Sequence, residues 1–334
     1  MELKPDTAKL ERNCIVCGDT RHSDMFRFTY DFLRDVRGHS ETMLELRDWT
    51  PETTSTIVKC SSCGANFIRD VVRQSGDVEI GHDDRFLDEE ERKVWLDRFS
   101  SAFKRASVNR HREQRAILDA LINQVYSNAS ETGKELSFLE FGAAKGEFAF
   151  IAGALGINHT VAYDVGYPTD VQEMFDITHP LGTVASRSFE EIKKQGPFNI
   201  AVCQSVIEHV FDPKRELQRM RSVMAEGGVL YINNPLMDLD AEIGLMNNAT
   251  KITKADNISH YHPLHLNYLT PNQFGQLLRS VGFELVGSFI HHTNAEVGLA
   301  TTSTLNRYLR DAAHYMVDST GLIFRRQLFV AKAV

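Results

Sequence analysis

The sequence has no long apolar run, no basic excess and few cysteines, and each shortage closes off a class of protein. The longest apolar stretch, Phe148 to Ile157, falls well short of the ~20 residues a helix needs to cross a bilayer. Acidic residues outnumber basic ones, for a net charge of -8. A chain whose main task is to grip nucleic-acid phosphates carries the opposite balance. The opening "MELKPDTAKLERN" lacks the apolar centre of a secretory signal, so a cytoplasmic protein is expected. There is no internal repeat, no low-complexity linker and no G-x-x-x-x-G-K-[ST] phosphate loop.

Five cysteines in 334 residues do not make a disulfide framework of the kind that runs through a secreted fold. Four of them form two C-x-x-C pairs, Cys14 with Cys17 and Cys60 with Cys63, each followed by glycine. Zinc takes four thiolates in a tetrahedron and each C-x-x-C turn supplies two, so the pairs read as the knuckles of a structural zinc ribbon. Redox dithiols or disulfides are the alternative, but neither pair sits at a strand-to-helix junction of the thioredoxin kind. Cys203, inside an apolar strand-like segment, reads as a buried small hydrophobe.

What the chain does contain falls into three zones. Residues 1–75 hold the cysteine pairs and short β-rich runs, as expected of a small zinc-binding domain. Residues 76–132 are charge-rich with apolar residues at helical spacing, and Ile117, Leu118, Leu121, Ile122 and Val125 share one face of a predicted connector helix. From 133 to 334 strand-like runs ("LSFLEF", "TVAYDV", "GTVASRS", "FNIAVCQSV", "GGVLYINN") alternate with helical stretches, which predicts an α/β domain with a mostly parallel sheet. In "KRELQRMRSVMAEGG" the apolar face of Leu217, Met220, Val223 and Met224 predicts a helix stopping at Gly227-Gly228. "FELVGSFIHH" and "LIFRRQLFVAKAV" read as two further strands. The segment at about 236–270 is too long for a simple connection and is expected to form a lid.

In a parallel sheet a ligand lies at the carboxyl ends of the strands. There "FLEFGAAKGEF" turns from strand to helix through Gly142 and Gly146, with the acid Glu140 before them. Glycines there permit close approach, and the helix start offers free N–H groups, so a small ligand with a polar, partly charged edge is expected. Asp164 ends the second strand, where a carboxylate accepts from a ribose diol, and Ser188 and Phe189 follow the third, placed to contact an adenine.

"LEFGAAKGEF", "AYDV" and "FNIAVCQSVIEHVFDPKRELQRMRSVMAEGGVLYINNP" together resemble the class I S-adenosylmethionine-dependent methyltransferases, over roughly residues 110 to 334. The resemblance implies a seven-stranded Rossmann-like sheet. It implies that Glu140, Gly142, Ala143 and Gly146 line the methionine end of S-adenosyl-L-methionine, that Asp164 holds its ribose, and that Ser188 and Phe189 lie by its adenine. Gln204 and Ser205 then border the sulfonium. The chain departs from the pattern at Ala144, where the family has its middle glycine; binding in an adjusted geometry is expected. With the four-cysteine zone, the layout resembles the deoxysugar C-methyltransferases, without the further C-terminal domain those enzymes carry. That implies a small-molecule acceptor such as a nucleotide-linked sugar. An RNA methyltransferase and a non-catalytic cofactor-binding regulator are the rivals.

Methyl transfer from a sulfonium needs an aligned acceptor and, for many acceptors, a base. His209, beside Glu208 just past the fourth strand, stands where the family places transfer; it is either that base or, with Glu208, a hydrogen-bonding shaper of the pocket. "ISHYHPLHLNYLTP" adds His262 and His265, as an acceptor-pocket wall, a surface loop or a metal site.

Overall fold

The structure is a computed structural model that describes residues 9–36, 49–72, 108–128, 135–167, 171–179, 181–235, 265–291, 297–298 and 326–334. Its strands in chain order are β1 (Lys9–Glu11), β2 (His22–Thr29), β3 (Thr54–Cys60), β4 (Asn66–Ile68), β5 (Asp70–Val72), β6 (Ser137–Phe141) and β7 (His159–Tyr163). They continue as β8 (Val184–Ser186), β9 (Phe198–Gln204), β10 (Met224–Pro235), β11 (Asn267–Tyr268), β12 (Phe283–His291), β13 (Val297–Gly298) and β14 (Arg326–Ala333). The α-helices are α1 (Val108–Asn128), α2 (Glu147–Ala154), α3 (Val171–Thr178), α4 (Phe189–Gln195), α5 (Pro213–Ser222) and α6 (Pro271–Ser280). The chain divides into two compact units: Met1–Gly81 with Ile207–Arg215 and Pro235–Leu277, and His82–Val206 with Glu216–Asn234 and Leu278–Val334.

The second unit is built on one sheet, in the order β13-β12-β14-β10-β9-β6-β7-β8. Strands β10, β9, β6, β7 and β8 run parallel, while β12 pairs antiparallel with β14 and β13. The expected mostly parallel, seven-stranded sheet is therefore present, with the two-residue β13 added at one edge. All five residues of β6 are buried, as a strand covered on both faces requires, and this is why its sequence is a solid apolar run around Glu140. On α1, Ile117, Leu118, Leu121 and Val125 are buried in the same core and Ile122 packs partly against it.

The helix expected to reach Gly227-Gly228 stops at Ser222 instead. The Phe198 N–H donates to the Val223 carbonyl at 2.8 Å, and Met224 already pairs with β9, so the sheet captures this segment. Gly227, at φ 76°, sits in the register shift between Met224 and Val229. The glycines mark an irregularity in a strand, not a helix stop.

The first unit holds the antiparallel sheet β11-β4-β3-β2 and the antiparallel pair β1-β5. Its core includes Phe26, Phe28, Tyr30, Leu33, Trp49, Ile57 and Ile68, joined by Leu266 and Tyr268, with Phe211 packed alongside. It is thus broader than the consecutive stretch 1–75, because β11 pairs with β4 and brings the chain around 266–268 into this core. Of the connector at 76–132, residues 108–128 are described, as α1; of the lid segment at 236–270, residues 236–264, with His262, lie outside the described residues. Among the described residues no helix is long and apolar enough to cross a membrane.

Candidate functional site

In the second unit the sequence-predicted residues gather at the carboxyl ends of β6, β7, β8 and β9. The turn after β6 is pinned to the end of β7: the Gly142 and Ala143 N–H groups both donate to the Tyr163 carbonyl, at 2.8 and 2.9 Å. Asp164 reaches back to the same turn. Its Oδ2 accepts from the Ala144 N–H and its Oδ1 from the Gly166 N–H, each at 2.9 Å. A carboxylate oxygen accepts more than one bond, so these contacts leave capacity for a ribose hydroxyl.

Glu140 is buried at the end of β6 and accepts the Ala149 N–H from the first turn of α2 at 2.8 Å. Burial pushes its pKa up to about 8, against the Ala149 and Phe148 N–H groups that favour the anion; the charges of Glu147 and Asp164 add to the rise. Burial, with the charges of Asp164 and Glu140, holds the Tyr167 phenol well above its usual range. The Asp164 carboxylate therefore stands at the turn, while buried Glu140, with its pKa near 8, is mostly protonated at neutral pH and adds little charge. A phosphate would meet the Asp164 charge here, whereas a cationic group would be favoured by it.

The two glycines answer to the chain's own side chains. A Cβ at Gly142 would meet Val206 Cγ2 at 2.2 Å, and one at Gly146 would meet Phe175 at 2.6 Å and His179 Nε2 at 3.0 Å. His179 donates from Nε2 to the Gly146 carbonyl at 2.9 Å and stacks on Phe175 with ring centroids 4.3 Å apart. Burial lowers its pKa to about 4, only partly offset by that bond. It is a neutral clamp on the turn.

Ser188 caps α4, its Oγ accepting from the Glu191 N–H at 3.4 Å. The Arg219 guanidinium lies 4.2 Å from the Phe189 ring centroid and donates to the Tyr163 hydroxyl at 2.9 Å. Gln204 ends β9 and Ser205 follows it, both half-buried; Ser205 holds φ 55° and its N–H donates to the Asn233 carbonyl at 2.8 Å. Sequence reasoning missed Val206, His179, Phe175, Tyr163 and Arg219, since each acts through packing that no local motif announces. Cys203 is fully buried in β9.

The first unit carries two further clusters. The Sγ atoms of Cys14, Cys17, Cys60 and Cys63 all lie within 4.8 Å of one another, with Cys14 3.4 Å from Cys63 and Cys17 3.6 Å from Cys60. Four thiolates ~2.3 Å from a tetrahedral ion stand roughly 3.8 Å apart, so the arrangement fits such an ion. Each knuckle closes with a glycine N–H donating to the first cysteine's carbonyl, Gly18 to Cys14 and Gly64 to Cys60, with both glycines at positive φ. Ser62 bonds to Asp19 from one knuckle to the other. The second cluster is Glu208, His209 and His265, whose donor atoms also lie within 4.8 Å of one another.

Residues 108–288 match the family described as a methyltransferase domain. No curated protein matches. Similar solved structures include the plantazolicin methyltransferase BamL, bound to a triazolic desmethylPZN analog and SAH, at 15% identity and TM-score 0.45, over 73% of this chain and 96% of that one. Another is the 1,6-didemethyltoxoflavin-N1-methyltransferase of Burkholderia thailandensis, at 13% identity and TM-score 0.40, over 82% of this chain and 97% of that one. The family match takes in just over half of the chain, and the chain belongs to the methyltransferase-domain family.

Proposed function

We propose that this protein transfers a methyl group from S-adenosyl-L-methionine to a small-molecule acceptor, with a nucleotide-linked sugar as the first candidate. The observation that carries the reading is the glycine turn with the Asp164 carboxylate bonded to it and buried Glu140 before it, in a chain of this family. S-adenosylmethionine carries a sulfonium and an ammonium, and a turn whose N–H groups are already bonded within the chain, with the Asp164 carboxylate at it, suits it better than a dinucleotide phosphate. In this reading Glu140, Gly142, Ala143 and Gly146 bound the methionine end, Asp164 holds the ribose, Ser188 and Phe189 flank the adenine, and Gln204 and Ser205 border the sulfonium. His209 takes the acceptor's proton, with Glu208, His262 and His265 as the other acceptor-side residues. Cys14, Cys17, Cys60 and Cys63 hold a structural Zn2+, closed to catalysis because four protein ligands fill its coordination.

Calorimetric titration with S-adenosylmethionine tests the first step. Micromolar binding that falls at least tenfold in Asp164→Ala supports the site; no binding by the folded protein overturns the reading. Turnover across a panel of nucleotide-linked sugars then tests the acceptor class, and His209→Asn is expected to lower kcat by about 10²-fold, with cofactor affinity unchanged.

A further inference from the structure

We propose that Glu208, His209 and His265 form a second divalent-metal site, of the two-histidine, one-carboxylate kind, distinct from the four-cysteine cluster. All three residues belong to the first unit. Glu208 and His265 are buried and His209 half-buried. The two imidazole rings meet edge to face, with centroids 4.6 Å apart at 64°. A nitrogen of each ring and a Glu208 oxygen nevertheless come together, all within 4.8 Å of one another. Ligands ~2.1 Å from an ion stand about 3.0–3.5 Å apart, so donors already within 4.8 Å need side-chain rotation only.

The backbone around the cluster is stapled within two residues of every ligand. The Glu208 carbonyl accepts the N–H groups of Leu266 and Asn267, at 2.6 and 3.2 Å. Asn267 Nδ2 donates to the Ile207 and Val210 carbonyls at 2.7 and 2.8 Å. Buried Arg12 fixes Asn267 in turn, donating to its Oδ1 at 2.6 Å and to the Leu266 and Ile68 carbonyls at 3.2 Å. A metal site needs this preorganised outer support, since the ligands must not collapse on one another when empty.

Two imidazoles and one carboxylate favour Zn2+, Fe2+, Co2+ or Mn2+ over Mg2+ or Ca2+. Three protein ligands leave at least one position open to water or to an acceptor hydroxyl, unlike the closed four-cysteine site. An ion held there would make a bound hydroxyl more acidic, so that its proton could leave to solvent, and His209, with its lone pair on the ion, would then act as a ligand in place of a base. Metal binding itself goes beyond the methyl-transfer reading and does not depend on it.

The test is titration with Co2+ of the full chain loaded with one equivalent of zinc, enough for the four-cysteine site alone, followed in the visible and near-ultraviolet. One equivalent is expected to bind, with weak d–d bands and no thiolate charge-transfer band. Its affinity is expected to fall at least tenfold in Glu208→Gln, which keeps the side-chain shape, and in His209→Asn, at the most exposed ligand. Total zinc is expected to stay constant in both variants. No Co2+ binding by the wild-type chain, binding with thiolate bands, or binding that survives both variants would overturn the proposal. Calorimetry with S-adenosylmethionine on the same samples separates failure of this site from failure of the cofactor site.

Discussion

Three residues of the Gly142–Gly146 turn have positive φ, and only one of them carries a Cβ: Ala144, at 46°. A left-handed alanine costs about 1–2 kcal/mol, and glycine in its place loses roughly 0.5–1 kcal/mol of unfolded-state entropy. Ala144→Gly is therefore expected to be neutral to stabilising, by up to about 1 kcal/mol in urea unfolding. The Ala144 N–H bond to Asp164 survives the change, because it is made by the backbone. Gly146→Ala is the opposite case. Its new Cβ would press on Phe175 and His179 from the same kind of backbone, so a loss of at least about 2 kcal/mol is expected. Equal effects of the two substitutions would refute the assignment of strain. The glycines themselves were legible in the sequence, but their cause was not. The sequence suggested a ligand lying against the turn, whereas Val206 and Phe175 already occupy the space a Cβ would need.

Elements meet at this turn through two buried titrating groups with opposite signs. His179, following α3, has a folded pKa of about 4 against an ordinary 6.5, so its contribution is present above 6.5 and lost as pH falls toward 4. Glu140, at the end of β6, has a folded pKa of about 8 against 4.5, so its contribution is present below 4.5 and lost as pH rises toward 8. A tenfold change in proton affinity between the folded and unfolded chain corresponds to ~1.4 kcal/mol of stability. The two slopes cancel between pH 4.5 and 6.5, leaving a plateau, and stability then declines toward pH 8. Glu140→Gln is expected to leave stability rising from pH 4 to 6.5 and flat above it. His179→Asn is expected to remove the plateau, with a decline across the whole range from 4.5 to 8. Urea midpoints for the three proteins give the comparison; parallel profiles would show that neither group is coupled to folding. The same elements show how far pattern reading reaches. The face of α1 was legible because it repeats at helical spacing. The end of α5 was not, because a sheet partner, Phe198, decides where Val223 and Met224 go.

At the scale of the molecule, the parallel sheet and the paired cysteines were legible because each rests on a repeated local signal. The make-up of the first unit was not, because it depends on contacts between residues far apart in the chain, Asn66 and Phe67 with Tyr268 and Asn267. Arg12 shows the cost of such dependence: two residues before Cys14, it is buried and bonded to Leu266 and Asn267, and burial lowers its pKa to about 9. Gln273, which closes a capping box with Thr270 at the start of α6, also donates to the Cys63 carbonyl at 3.1 Å. Cys63 and Arg12, beside the other knuckle, thus anchor the 266–273 stretch that helps complete this unit. Structural zinc sites contribute on the order of 10 kcal/mol of folding free energy, more than a core of this size supplies. Removing the metal is therefore expected to unfold the first unit, while the sheet of β6 to β10 keeps its own core and its own transition. In a Trp95→Phe background the buried Trp49 reports the first unit alone. Its emission is expected to shift to the red on chelation and in Cys60→Ser, with most far-ultraviolet ellipticity retained. Unchanged emission from a zinc-free chain would mean that the hydrophobic contacts of Trp49, Phe28 and Tyr268 hold this unit without the ion.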